Sequence, residues 1–285
     1  MKINRTLIRH LVVIFGLTRA AHSQPATVLR EDFWVPDGIV YTAVATNGVI
    51  YVGGDFKTVC PNAGRGEVFN IFSAESKPLL PQANGGIFAV VADGSGGWFI
   101  AGDFTAVGGI ARTNLAHVRA DMTVDPLFRP NPDGILTNNL QHHGLYALLR
   151  NENILYVGGV FTNIAGAAQS GLAAVDTSTG ALLPWSGNVE GEVYALALQN
   201  DHLIVGGTFS AIGGSARTNL AAVDAHTGSV LPWNPSVTAS NASTGSTLAS
   251  VNAFAITGDT LFVGGDYEFV ILQWPALPLS SVEIQ

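Results

Sequence analysis

The chain has 285 residues, of which 47% are hydrophobic and only 12% charged, with 33 glycines and a formal charge of −8. That length can bury one large core or two modest ones, and high hydrophobicity with few charges excludes a disordered chain. The acidic balance argues against nucleic acid and anionic membranes as partners.

The N-terminus reads as a secretory signal peptide over residues 1–23. Lys2, Arg5 and Arg9 form a basic start, Leu11 to Leu17 an apolar run, and Ala21-His22-Ser23 a small-residue cleavage pattern. The run is too short to span a bilayer, and no later stretch predicts membrane insertion. Cleavage near Ser23 would remove Lys2, Arg5, Arg9 and Arg19, leaving 9 basic against 21 acidic residues, a balance of −12. The expected location is therefore outside the cell, in the periplasm or on the surface. Residues 24–285 form the expected domain, which must hold without an intrachain disulfide because Cys60 is its single cysteine.

The segment Phe33-Trp34-Val35-Pro36-Asp37-Gly38 resembles the later stretches Phe128-Arg129-Pro130 and Pro232-Trp233-Asn234-Pro235. It reads as an orphan last strand that completes the final blade of a ring, hiding two sheet edges.

Five repeats follow, over approximately 39–80, 86–130, 145–186, 192–235 and 250–285. Each carries a short apolar run, one or two glycines and a closing aromatic. The structural positions are Gly53, Gly54 and Phe56, then Gly102, Asp103 and Phe104, then Gly158, Gly159 and Phe161. Gly206, Gly207 and Phe209 follow, then Gly264, Gly265 and Tyr267. Repeat four shows the grammar best. Val193 to Leu198 is a first strand, His202 to Phe209 a second, Asn219 to Asp224 a third and Val230 to Trp233 a short fourth. Thr227-Gly228 is a hairpin turn, and Ala211 to Ser215 reads as a loop. Four short antiparallel strands at this period predict an all-β fold, a β-propeller of about five four-stranded blades.

Face-to-face blades bury their middle strands on both sides and narrow toward an axis. Small residues on the first strand fit that wedge: Ala43, Ala45, Ala89, Ala92, Ala147, Ala195, Ala197, Ala253 and Ala255. The glycine pair is expected to let a neighbour approach closely or to form a bulge. After Tyr267 the fifth repeat departs from the others, so it either closes the ring in shortened form or belongs to a larger ring.

Residues 98–134 resemble the delta-60 repeat β-propeller family, a domain of unknown function in bacterial secreted and surface proteins. The resemblance rests on Phe99-Ile100-Ala101-Gly102-Asp103-Phe104-Thr105, Gly108-Gly109, Ala111-Arg112, Asn114-Leu115-Ala116, Ala120-Asp121, Asp125-Pro126 and Phe128. The other repeats match in part. Val160 and Thr208 replace the core Asp, and Gln169-Ser170-Gly171 replaces Arg112-Thr113-Asn114. The resemblance implies a fold and an extracellular setting, and no activity.

Catalytic and cofactor motifs are missing from the sequence, and no metal site is expected. Asp55, Asp103 and Asp266 recur one per repeat and read as turn caps or partners of residues such as Arg112. No calcium loop surrounds them. Arg112, Arg217, Asn114 and Asn219 read as repeated loop hydrogen bonding. Gly94-Ser95-Gly96-Gly97 reads as a hairpin turn. Two insertions, 130–144 and 235–250, lie between a fourth strand and the next first strand, on the side where propellers usually bind. They supply the candidate ligand-binding residues Asn138, Asn139, His142, His143 and Asn241. The function read from these features is a non-catalytic binding propeller for an unidentified protein or glycan partner. The alternatives are a polysaccharide hydrolase or lyase, and a fragment of a larger surface repeat protein.

Overall fold

A computed structural model describes residues 38–46, 49–56, 66–70, 81–133, 144–238, 249–267, 269–271 and 281–284. Residues 33–37 of the orphan segment, Cys60, and residues 134–143 and 239–248 of the two insertions, with Asn138, Asn139, His142, His143 and Asn241, lie outside the described residues.

The repeats fold as five successive blades of a β-propeller, and no helix occurs among the described residues. Blade one holds an inner strand Ile39–Thr46, a middle strand Val49–Asp55 and an outer strand Gly66–Asn70. The same order recurs in blade two (Ile87–Ala92, Trp98–Gly102, Leu115–Val118) and blade three (Gly144–Asn151, Ile154–Val160, Leu172–Asp176). Blade four has Val189–Gln199, His202–Ile212 and Leu220–Asp224. All these neighbours are antiparallel. Blade five pairs Ser250–Thr257 with Thr260–Asp266, but its outer position is taken by Ser281–Ile284 running parallel.

The fourth strand is smaller than the sequence suggested. It is a single bridge in three blades: Val118 with Val124, Val175 with Leu182, and Val223 with Val230. Its aromatic still matters, because Phe128, Trp185 and Trp233 are buried where adjacent blades meet. The connection read as a loop is a two-residue hairpin whose turns are Gly108-Gly109, Ala165-Gly166 and Gly213-Gly214. Both turn residues have φ between 52° and 77° in every copy, the backbone that a primed hairpin turn requires.

Four apolar clusters fill the four junctions between consecutive blades. Along each middle strand, one set of side chains faces the preceding blade and the alternate set the following one. Leu155 and Val157 join the cluster with blade two, for example, while Tyr156 joins the cluster with blade four. Each buried aliphatic side chain withdraws enough apolar surface to favour folding by about 1.5–3 kcal/mol.

The junction has one recurring device. A small inner-strand residue lies directly across from a small middle-strand residue: Thr42 from Gly53, Ala89 from Ala101, Ala147 from Gly158, Ala195 from Gly206 and Ala253 from Gly264. The notch between them receives an aliphatic side chain of the next blade. A Cβ at Gly53 would meet Ile87 at 2.6 Å, one at Gly158 would meet Val193 at 2.6 Å, and one at Gly206 would meet Val251 at 2.5 Å. The second glycine faces a carbonyl within or just before its own inner strand: a Cβ at Gly54, Gly102 or Gly207 would lie at 2.0, 1.9 or 2.0 Å from that of Ile39, Gly86 or Glu192. Side-chain nesting and a bulge thus each use one glycine of the pair.

The alanine expectation needs correcting at the two ends of the series. Ala89, Ala147 and Ala195 are buried, but Ala43, Ala45 and Ala255 are exposed. The exposed ones sit on the faces of blades one and five that no described blade covers.

Candidate functional site: an aromatic row on the inner strands

Opposite the glycine pair or its equivalent, every inner strand carries one residue with no partner on its middle strand. The register skips Tyr41, Phe88, Tyr146, Tyr194 and Asn252. A bulge re-aims the side chain of the unpaired residue. The first four residues are aromatic, and they meet across blades. The Tyr41 and Phe88 rings lie 5.3 Å apart edge to face, Phe88 and Tyr146 stack at 5.3 Å, and Tyr146 and Tyr194 meet edge to face at 5.4 Å. All four are half-buried. Such pairs are each worth about 0.5–1.5 kcal/mol beyond area burial.

Acids border the row. The Tyr194 hydroxyl donates to a Glu192 carboxylate oxygen. Burial pushes the Tyr194 phenol well above its usual range, and the Glu192 bond and charge add to the effect. Tyr146 is raised in the same direction, first by burial and then by the charges of Glu192 and Asp103. Both phenols therefore stay protonated, as donors, throughout the physiological range. Asp103 itself accepts the Gly86 N–H, so it caps the start of its own inner strand, in line with the turn-cap reading.

The row lies near the N-terminal ends of the inner strands. The first insertion, 130–144, ends at Gly144, just before Tyr146, and the second, 235–250, ends at Ser250, just before Asn252. Sequence reasoning missed this row. The available signal was an aliphatic–aromatic–small triplet: Ile87-Phe88-Ala89, Leu145-Tyr146-Ala147 and Val193-Tyr194-Ala195.

The other singled-out residues hold the blades together. Arg112 donates to the Ala111 and Asp125 carbonyls, and Arg217 donates to the Ala216 and Leu231 carbonyls. Asn114 and Asn219 have φ of 59° and 63°, and Gly171 in the third copy has 67°. The departure from Asn in repeat three keeps a residue that tolerates that backbone. A polar cluster occurs in blade two, where His117 Nε2 lies 3.0 Å from Asp93 and Nδ1 lies 3.0 Å from Asp125. Arg119 closes it with a 2.7 Å bond to Asp125. His117 also stacks on Phe99 at 4.5 Å, so the cluster belongs to the blade interior. No group of three or more His, Cys, Asp or Glu side chains suited to a metal ion occurs among the described residues.

No family model matches the chain, and no curated protein matches it. Solved structures do share its fold. The computationally designed Ika8 protein is 15% identical, with a TM-score of 0.52, over 84% of this chain and 60% of that one. The WD40 β-propeller domain of Doa1 is 15% identical, with a TM-score of 0.50, over 83% of this chain and 63% of that one. The chain thus spans less than two thirds of either. At this identity the likeness speaks for the fold alone.

Proposed function

We propose that this is a non-catalytic binding module, secreted after cleavage near Ser23, that presents the row Tyr41–Phe88–Tyr146–Tyr194 to a protein or glycan partner. The observation that carries the reading is the continuity of four half-buried aromatic rings over four blades. Tyrosine supplies a rigid apolar face and a polar tip, which suits recognition surfaces at low entropic cost. The neighbouring Glu192 and Asp103 supply acceptors for hydroxyl or cationic groups. Insertions 130–144 and 235–250, with Asn138, Asn139, His142, His143 and Asn241, would frame the ligand. A rigid scaffold with variable loops at one end is a common basis for binding. The resemblance of the repeat to the delta-60 family agrees with an extracellular setting and with the lack of catalytic motifs.

The test is a panel of soluble oligosaccharides and immobilised extracellular proteins, read for binding and for new reducing ends. The reading expects a ligand whose affinity falls about tenfold or more in Tyr146→Ala and Phe88→Ala, in line with aromatic hot spots. Exposed Ile110→Ala should leave it unchanged. Release of reducing ends would replace this reading with the hydrolase or lyase alternative.

A further inference from the structure

Five blades in series have four junctions, and a closed ring of five would have five. The inner strands pack one against the next from blade one through blade five, and no comparable packing joins Ser250–Thr257 back to Ile39–Thr46. Two blade faces are therefore left without a neighbouring blade among the described residues.

Both faces have the composition of an interior junction. On blade one the exposed half is the knob. Val40 occupies the register position of Ile87, Leu145, Val193 and Val251, all of which are buried, yet Val40 is half-buried. Ile50 and Val52 are also half-buried, while their counterparts Leu155 and Val157, or Leu203 and Val205, are fully buried. On blade five the exposed half is the notch. Among the described residues, only Ala253, of its own sheet, lies within 4 Å of a Cβ built at Gly264, at 3.7 Å. Phe262 is half-buried, whereas Tyr51, Phe99, Tyr156 and Ile204 at the same position are buried.

We propose that the knob face of blade one docks into the notch face of blade five of a second copy of this chain, repeating between molecules the junction found four times within one. The occupant is a second copy because the two open faces are the two halves of one interface already realised inside the molecule. Neither face matches itself, so the contact is head to tail, and it builds a closed ring of copies or a filament according to its rotation. This inference does not rest on the aromatic row.

The experiment is light scattering of the purified full chain from roughly 1 to 100 µM, the range in which modest interfaces assemble. Wild type should rise above monomer mass with concentration. Val40→Asp should weaken assembly by more than about tenfold through an uncompensated charge in an apolar contact, and Gly264→Val should do so by filling the notch. Each variant should keep the melting temperature of the dilute wild type, since both positions lie on faces that no described blade covers. A wild type that stays monomeric across the range overturns the proposal. So does assembly indifferent to both substitutions, or a Gly264→Val monomer that melts early, which would mean that the notch is filled within one chain.

Discussion

Val251 of blade five lies over Gly206 of blade four so closely that a Cβ on the glycine would stand 2.5 Å from its Cγ1. Phe254 of the same inner strand approaches the same point at 2.6 Å. Neither contact can relax cheaply, because both side chains belong to a filled junction with Ile204, Leu220 and Trp233. Gly206→Ala should therefore destabilise the protein by about 1–3 kcal/mol through overpacking. Gly158→Ala, facing Val193, should do the same. Gly264→Ala should change stability by less than about 0.5 kcal/mol, as at an open surface. Urea denaturation of the three variants separates the crowded notches from the open one.

Ala165 has a φ of 52° at the turn position held by Gly108 and Gly213 in the other copies. An L-residue there suffers a clash of its Cβ that glycine avoids. The side chain is exposed and has no packing to lose. Ala165→Gly should raise stability by about 0.5–1 kcal/mol, net of the greater freedom of glycine in the unfolded chain. A lower melting point would show that this turn is not strained.

The Asp93–His117–Asp125 cluster contributes to the acid limb of stability, beside the turn carboxyls Asp176 and Asp224, which hydrogen bonds also lower. Burial alone would raise both carboxyls. Hydrogen bonds from Ser95, His117 and Gly97 outweigh it at Asp93, and bonds from Leu127, His117 and Arg119 outweigh it at Asp125, so both lie below the usual carboxylate range. A folded-state pKa below the unfolded one contributes stability above the unfolded value, near 3.9, and loses it as pH falls. Wild type should lose stability steeply below about pH 4, and His117→Ala should flatten that limb. Equilibrium unfolding measured between neutral pH and pH 3 reads the slopes.

Tyr146 and Tyr194 set the alkaline limb. Their phenols are raised in the fold, so their contribution is complete below the unfolded value near 10 and is lost as pH rises past it. Ultraviolet titration should show these two among the tyrosines that ionise only with unfolding, beside Tyr156 and Tyr267, whose phenols burial also raises. Tyr194→Phe should remove one of them and move the unfolding transition to higher pH.

Much of this architecture could be read from sequence because the repeat carries its own punctuation. Glycine pairs, closing aromatics such as Phe104 and Phe161, and turns such as Thr227-Gly228 mark where strands end whatever their neighbours do. The aromatic row was less legible. A strict two-residue alternation places Tyr146 and Tyr194 on the faces of a regular strand, and the bulge that re-aims them depends on the carbonyl opposite Gly159 or Gly207. The hairpin at Ala165-Gly166 was hidden by an alanine in a backbone that glycine usually marks. The open ends were illegible for a different reason. Val40 and Gly264 are the same kinds of residue as Val193 and Gly206, and they differ only in having no neighbouring blade among the described residues.

The open arc is tested most directly by distance measurement between spin labels at Val40→Cys and Gly264→Cys, in a Cys60→Ser background diluted with unlabelled protein. The expected separation is well beyond that of a reference pair on the exposed turns of adjacent blades three and four, Asn153→Cys with Asp201→Cys. Coinciding distributions for the two pairs would mean that blade five meets blade one, and the arc described here would be a closed ring.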